Sequence, residues 1–168
     1  MEYKIIYSKR KTLELRIVDG VPVVRAPMRT KRSIIDIFVR EHENWIIKNI
    51  NKQKEKEAMI ASLTDADIKM LKTAAKVYFK EKVLYYSNIM NLNPSRVTIT
   101  SAMKRFGSCS STGNISFSYR LMLYPEEARE YVVVHELAHL REMNHSRNFY
   151  RIIESILPDY KERKRLLK

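Results

Sequence analysis

Three of the chain's four histidines fall within eleven consecutive positions, in the segment HELAHLREMNH at 135–145. The segment directly follows the apolar run Tyr131, Val132, Val133, Val134. This junction constrains the fold more than any other feature. The apolar run asks for burial, and imidazole and carboxylate groups carried into a core on the same element are costly unless each finds a partner. On an α-helix, residues four apart are separated by only about 40° of rotation, so His135 and His139 project from one face with rings able to converge on one ion. Glu136 lies about 100° further round, outside that ligand row. Neutral imidazole suits zinc, and the Glu136 carboxylate is placed to take a proton from a metal-bound water as a general base.

A catalytic zinc takes three protein ligands and leaves one position open. His145 is the best third ligand. Helical periodicity breaks after Leu140, Asn144 suits the left-handed conformation that ends helices, and Ser146 is a good N-cap for the next one. His145 then sits in a turn from which the chain folds back toward His135 and His139. Glu154 is the rival ligand, beside the stripe of Phe149, Ile152, Ile153, Ile156 and Leu157 on the following helix.

The rest of the chain reads as α+β. Ile5, Ile6, the alternating Leu13, Leu15, Ile17, a turn at Asp19-Gly20, and Val21, Val23, Val24 predict an N-terminal β-meander. Ser33 with Asp36 resembles a capping box, opening a helix that runs to about residue 57. Thr64 with Asp67 repeats the signature for a second helix, which stops before Pro94. Residues 96–123 return to strands, with Val97 and Ile99, a turn at 110–114, and Ile115, Phe117, Tyr119 alternating. These predict a short antiparallel sheet packed on the helix that Pro125 opens and that carries the histidines. One domain spans 1–168, with 1–60 the meander plus helix and 61–168 the metal-binding core.

Thirty-two Lys and Arg against nineteen Asp and Glu give a formal charge of +13, which favours polyanions such as nucleic acid; a solvated basic surface explains it equally well. The terminal run Lys161, Arg163, Lys164, Arg165 and Lys168 follows the last apolar stripe and reads as free to reach such a partner. Cys109 is the only cysteine, which excludes an intrachain disulfide and suits a reducing compartment. The opening residues lack a secretory signature and no stretch approaches a bilayer span, so a cytoplasmic protein with no membrane partner is expected.

Arg105 and Ser108 precede a turn and the strand Ile115 to Tyr119, where they would hold a substrate or steady an oxyanion, or serve only as turn residues. Cys109 reads as a small buried residue and His42 as part of a helix stripe. None of the ten tyrosines can be singled out as an oxyanion donor.

The blocks SKRKTLELRI, VPVVRAP, NWIIK, RFGSCSSTGNISFSYRL, YVVVHELAHLREMNHSRNFY and PDYKERKRLLK together resemble the YgjP-like metal-dependent hydrolases. These are related to zincin metallopeptidases and more distantly to SprT-like proteases. Phe106 stands where that family usually has tryptophan. The resemblance implies a zincin-like fold in which the strand Ile115 to Tyr119 edges the active-site cleft and pairs with an extended peptide, zinc on His135, His139 and His145, and Glu136 as the catalytic residue. The expected activity is cleavage of peptide bonds in a peptide or protein substrate. The alternatives are a nucleic-acid-associated protein with a largely structural metal, and a protease acting on DNA-bound proteins.

Overall fold

Asp19 and Gly20 both take positive φ, 50° and 75°, the left-handed pair that a tight turn between twisted strands requires. They join β2 (Glu14–Val18) to β3 (Val21–Pro27) as an antiparallel hairpin in the computed structural model, which describes residues 1–167. β1 (Lys4–Ser8) does not meet β2. It lies parallel to β3 on the other side, giving the order β1-β3-β2, so the expected N-terminal meander does not form. Burial explains the order: Val23, Val24 and Ala26 are buried in β3, whereas β1 and β2 bury no residue, and the most continuously apolar strand takes the centre.

The helix expected to run unbroken to about residue 57 is two, α1 (Arg32–Glu41) and α2 (Glu43–Ala61). The break falls at His42, whose backbone leaves the helical region and whose Nδ1–H donates to the Phe38 carbonyl at 2.8 Å. Ser33 and Asp36 do not cap α1, which starts after Lys31 without a side-chain cap; Asp36 accepts the Tyr3 hydroxyl instead. Ile35, Val39 and Ile46 pack with Val24 and Ala26 as the core of a first compact unit, Met1–Leu63.

A second compact unit begins at Thr64. Thr64 and Asp67 form the expected capping box on α3 (Asp65–Met90), which ends at Asn91 in the left-handed region. β4 (Arg96–Thr100), β5 (Gly107–Cys109) and β6 (Asn114–Ser118) make a sheet in the order β4-β6-β5. β4 runs parallel to β6 and β5 antiparallel to it, so the sheet expected to be antiparallel is mixed. Its central strand carries Ile115 and Phe117, both essentially buried. Phe117 stacks on Phe79 of α3 with centroids 4.6 Å apart, a contact of about 0.5–1.5 kcal/mol beyond its burial.

A 3-10 turn (Tyr119–Leu123) leads into α4 (Glu126–Ala138), followed by α5 (Arg147–Ile156) and α6 (Tyr160–Arg165). Val132, Val133, Val134, Leu137 and Ala138 are buried, which makes α4 the central helix of its unit. Lys82 of α3 ties to Glu126 and Glu130 of α4, each at 2.7 Å, and Glu130 also accepts from Arg163 of α6 at 2.8 Å. The basic terminal run is therefore not a free tail. Arg163 bridges Glu130 and Asp159, and Arg165 faces Glu162, while Lys168 lies outside the described residues. No helix among the described residues is long and apolar enough to cross a membrane.

Candidate metal centre

His135 and Glu136 occupy the last turn of α4, and His139 is the residue that caps it. The chain then turns through 140–145, with Leu140 N–H donating to Leu137 and Glu142 N–H to Ala138, both at 3.0 Å. Arg141 pins this turn to the end of α3 by donating to the Met90 carbonyl at 3.1 Å. Asn144 does not take the expected left-handed conformation; among described non-glycine residues only Asp19 and Asn91 do. Its carbonyl accepts from Ser146 N–H at 2.7 Å, which tightens the turn by another route. Ser146 then caps α5 as expected, its hydroxyl oxygen accepting from Phe149 N–H.

The result is that one ring nitrogen from each of His135, His139 and His145 lies within 4.8 Å of the others. His139 donates Nδ1–H to the Glu142 carbonyl at 3.1 Å, which leaves Nε2 as its free lone pair. His135 Nδ1 faces the Tyr131 hydroxyl at 3.4 Å, and its Nε2 lies 3.1 Å from Nε2 of His145. Phe149, fully buried, backs all three rings with centroid distances of 4.9, 4.5 and 4.8 Å. Burial, reinforced by the charges of His139, His145 and Lys164, pushes His135 down to about 3, and burial also lowers His139. Both rings are therefore neutral at pH 7, the form in which imidazole binds a metal.

This donor set fits a zinc-type cation. Ligand nitrogens at about 2.0–2.1 Å from a tetrahedral ion stand about 3.3 Å apart, close to the 3.1 Å between the two Nε2 atoms. Two lone pairs that near each other require a shared proton or a shared cation. Glu154 is exposed on α5 and does not join the group.

Glu136 is 5 % exposed, and burial raises its carboxyl to about 7 against the opposing charge of Arg105. It lines a recess of about 430 Å³ together with His135, His145, Tyr131 and Gly107. Gly107, at the start of β5, is there because nothing larger fits: a Cβ would lie 2.6 Å from Glu136 Oε1. Ser108 is tied across the sheet to Ser116, its hydroxyl oxygen 2.8 Å from that of Ser116. Cys109 is half-buried, its thiol pushed up by burial and by the Glu136 charge, and it does not join the histidines. His42 bonds within the first unit. Gly107, Phe149 and Tyr131 are the site neighbours that the sequence did not single out, and only the close approach of β5 to α4 reveals the first.

A family model described as YgjP-like, metallopeptidase domain, matches residues 61–168, well over half the chain. The chain belongs to this family. As a YgjP-like metallopeptidase it is a metal-dependent hydrolase, and the three histidines are the group among its described residues able to hold the metal. The crystal structure of the metallopeptidase zymogen of Pyrococcus abyssi abylysin is 25 % identical to the YgjP-like chain, with a TM-score of 0.48. The match covers 52 % of this chain and 89 % of that one. No curated protein matches.

Proposed function

We propose that this YgjP-like protein is a zinc peptidase in which His135, His139 and His145 hold the ion and Glu136 is the general base. The observation that carries the reading is the convergence of three imidazoles, two of which, His135 and His145, line a recess together with the buried carboxylate of Glu136. Zinc bound there supplies a Lewis acid that polarises the scissile carbonyl and lowers the pKa of water. Glu136 takes the proton of the attacking water and passes it to the amine nitrogen as the C–N bond breaks. Its burial keeps the carboxylate poorly solvated and so more basic. Glu142 and Tyr131 orient the His139 and His135 rings, and Phe149 closes the site from behind.

The strand expected at the edge, Ile115 to Tyr119, falls largely in β6 at the centre of its sheet; β5 is an edge strand and starts beside Glu136, so an extended substrate adds to β5 by backbone pairing. The single cysteine suits a reducing compartment, and we place the protein in the cytoplasm. A second reading, a protease of nucleic-acid-bound proteins, draws on the charge of +13. Its test is duplex binding that weakens with salt at a log-log slope of about −0.9 per phosphate contacted.

Metal analysis of the purified protein tests the ligand set. About one zinc per chain is expected from a three-ligand catalytic site, and His135→Ala, His139→Ala and His145→Ala should each lower occupancy strongly. Full occupancy in any one of them would remove that residue from the ligand set.

A further inference from the structure

We infer that carboxylate groups of the substrate, within a few residues of the bond cleaved, are received by a cationic groove formed by Lys161 and Lys164 over the rings of Tyr160 and Tyr150. This rests on the peptidase reading of the metal centre. The recess beside His135 and Glu136 is also lined by Tyr150 and Lys164. A second recess, of about 360 Å³, is lined by the same two residues together with Tyr160, Lys161 and Arg165. Sharing Tyr150 and Lys164, the two recesses adjoin, the first holding the metal end and the second the lysines.

Its floor is aromatic: the Tyr150 and Tyr160 rings stack with centroids 6.0 Å apart. Lys164 Nζ stands 5.5 Å from the centre of the Tyr150 ring and Lys161 Nζ 5.7 Å from that of Tyr160. Residues 161 and 164 are three apart on α6 and so share a face. The carboxylates of that region go elsewhere: Asp159 to Arg163, and Glu162 to Arg165. Neither lysine forms an ion pair among the described residues, and both are exposed. Among the described residues lining either recess, Glu136 is the sole carboxylate, and it lies at the metal end. Two unpaired ammonium groups over an aromatic floor thus await anionic groups of an occupant that runs into the metal centre. A peptide meets both demands, because its amide reaches the metal while its carboxylates meet the lysines.

The test uses fluorescent peptides of one length, with glutamate or glutamine flanking a common core and with a free or an amidated C-terminus. Binding is read by anisotropy on zinc-supplemented Glu136→Gln protein, and cleavage on the wild type. The glutamate peptides should bind about fivefold tighter than their glutamine counterparts. That preference should fade at about 1 M salt, where the screening length is about 3 Å. The double variant Lys161→Gln/Lys164→Gln should lose it, with an unchanged melting temperature, and Lys164→Arg should keep it. A preference that follows only the free C-terminus would support the groove and assign its ligand to the terminal carboxylate. Equal binding of all four peptides, or a preference that survives the double variant, would overturn the inference. So would a single-stranded oligonucleotide that binds more tightly than the glutamate peptide and is released by the same substitutions. Preferential binding without cleavage of any peptide would leave the groove standing and sink the peptidase reading instead.

Discussion

Gly107→Ala separates the position of Glu136 from its mere presence. An alanine Cβ at 107 would meet Glu136 Oε1 at 2.6 Å, Cγ at 2.7 Å and Cδ at 2.9 Å. Ordinary carbon contacts begin at about 3.5 Å, so the carboxylate or the strand has to retreat by about 0.9 Å. Gly107 is not among the residues with positive φ, so alanine suits the backbone and the effect is steric. Glu136 is buried on α4 beside β5, and all the atoms met belong to its side chain, so it is the carboxylate that is driven from its place. Overpacking of this kind costs about 1–3 kcal/mol. A general base displaced by about 1 Å loses about a hundredfold in turnover. Hydrolysis of a quenched fluorescent peptide, melting temperature and metal content measure the three consequences. Gly107→Ala should lose turnover far beyond its loss of stability while its zinc content stays at the wild-type level. Gly20→Ala is the control, since a Cβ there meets nothing within 4 Å but sits at φ 75°. It should cost about 1–2 kcal/mol of backbone strain with turnover unchanged. A Gly107→Ala protein that turns over like the wild type would refute the placement of Glu136 at the reacting centre.

Two further outcomes concern stability. Burial alone would raise the Glu130 carboxyl, but hydrogen bonds from Lys82 and Arg163 outweigh it and hold the group below the usual range. A depressed folded-state pKa stabilises above the unfolded value of about 4.3, and that contribution is lost as pH falls through the folded one. Glu130→Gln should therefore lower unfolding free energy by roughly 1–3 kcal/mol at pH 7, with the gap closing only below about pH 4; a gap independent of pH in denaturant titrations would contradict the clamp. Thr64→Ala removes the side-chain cap of α3 and should cost about 1 kcal/mol, measured the same way, with no change in metal content.

What the sequence disclosed was local, and what it hid depended on long-range packing. That His135 and His139 share one face follows from helical periodicity alone, and the reciprocal cap of Thr64 and Asp67 from local hydrogen bonding at a helix start. Ser146 announces α5 for the same reason, and with it the turn that returns His145. Strand order is different: nothing in the segment 2–26 says that β1 pairs with β3 in parallel, because that choice is made by which strand is buried at the centre. Ser33 and Asp36 matched a capping pattern, yet Asp36 had a better use with Tyr3, just ahead of β1. Phe149 was legible as an apolar residue of α5 but not as the backing of three imidazoles, which depends on how the turn at 140–145 closes. The charged run at the end of the chain read as a free tail because its docking rests on Tyr160 and on Arg163 meeting Glu130 across the unit.

The most direct measurement is peptide hydrolysis by wild type and Glu136→Gln at matched zinc content. The amide keeps the shape of the buried side chain but lacks the basic oxygen, so the variant should retain metal and fold and lose turnover by at least about a hundredfold. Wild-type turnover in a fully loaded Glu136→Gln protein would contradict the account.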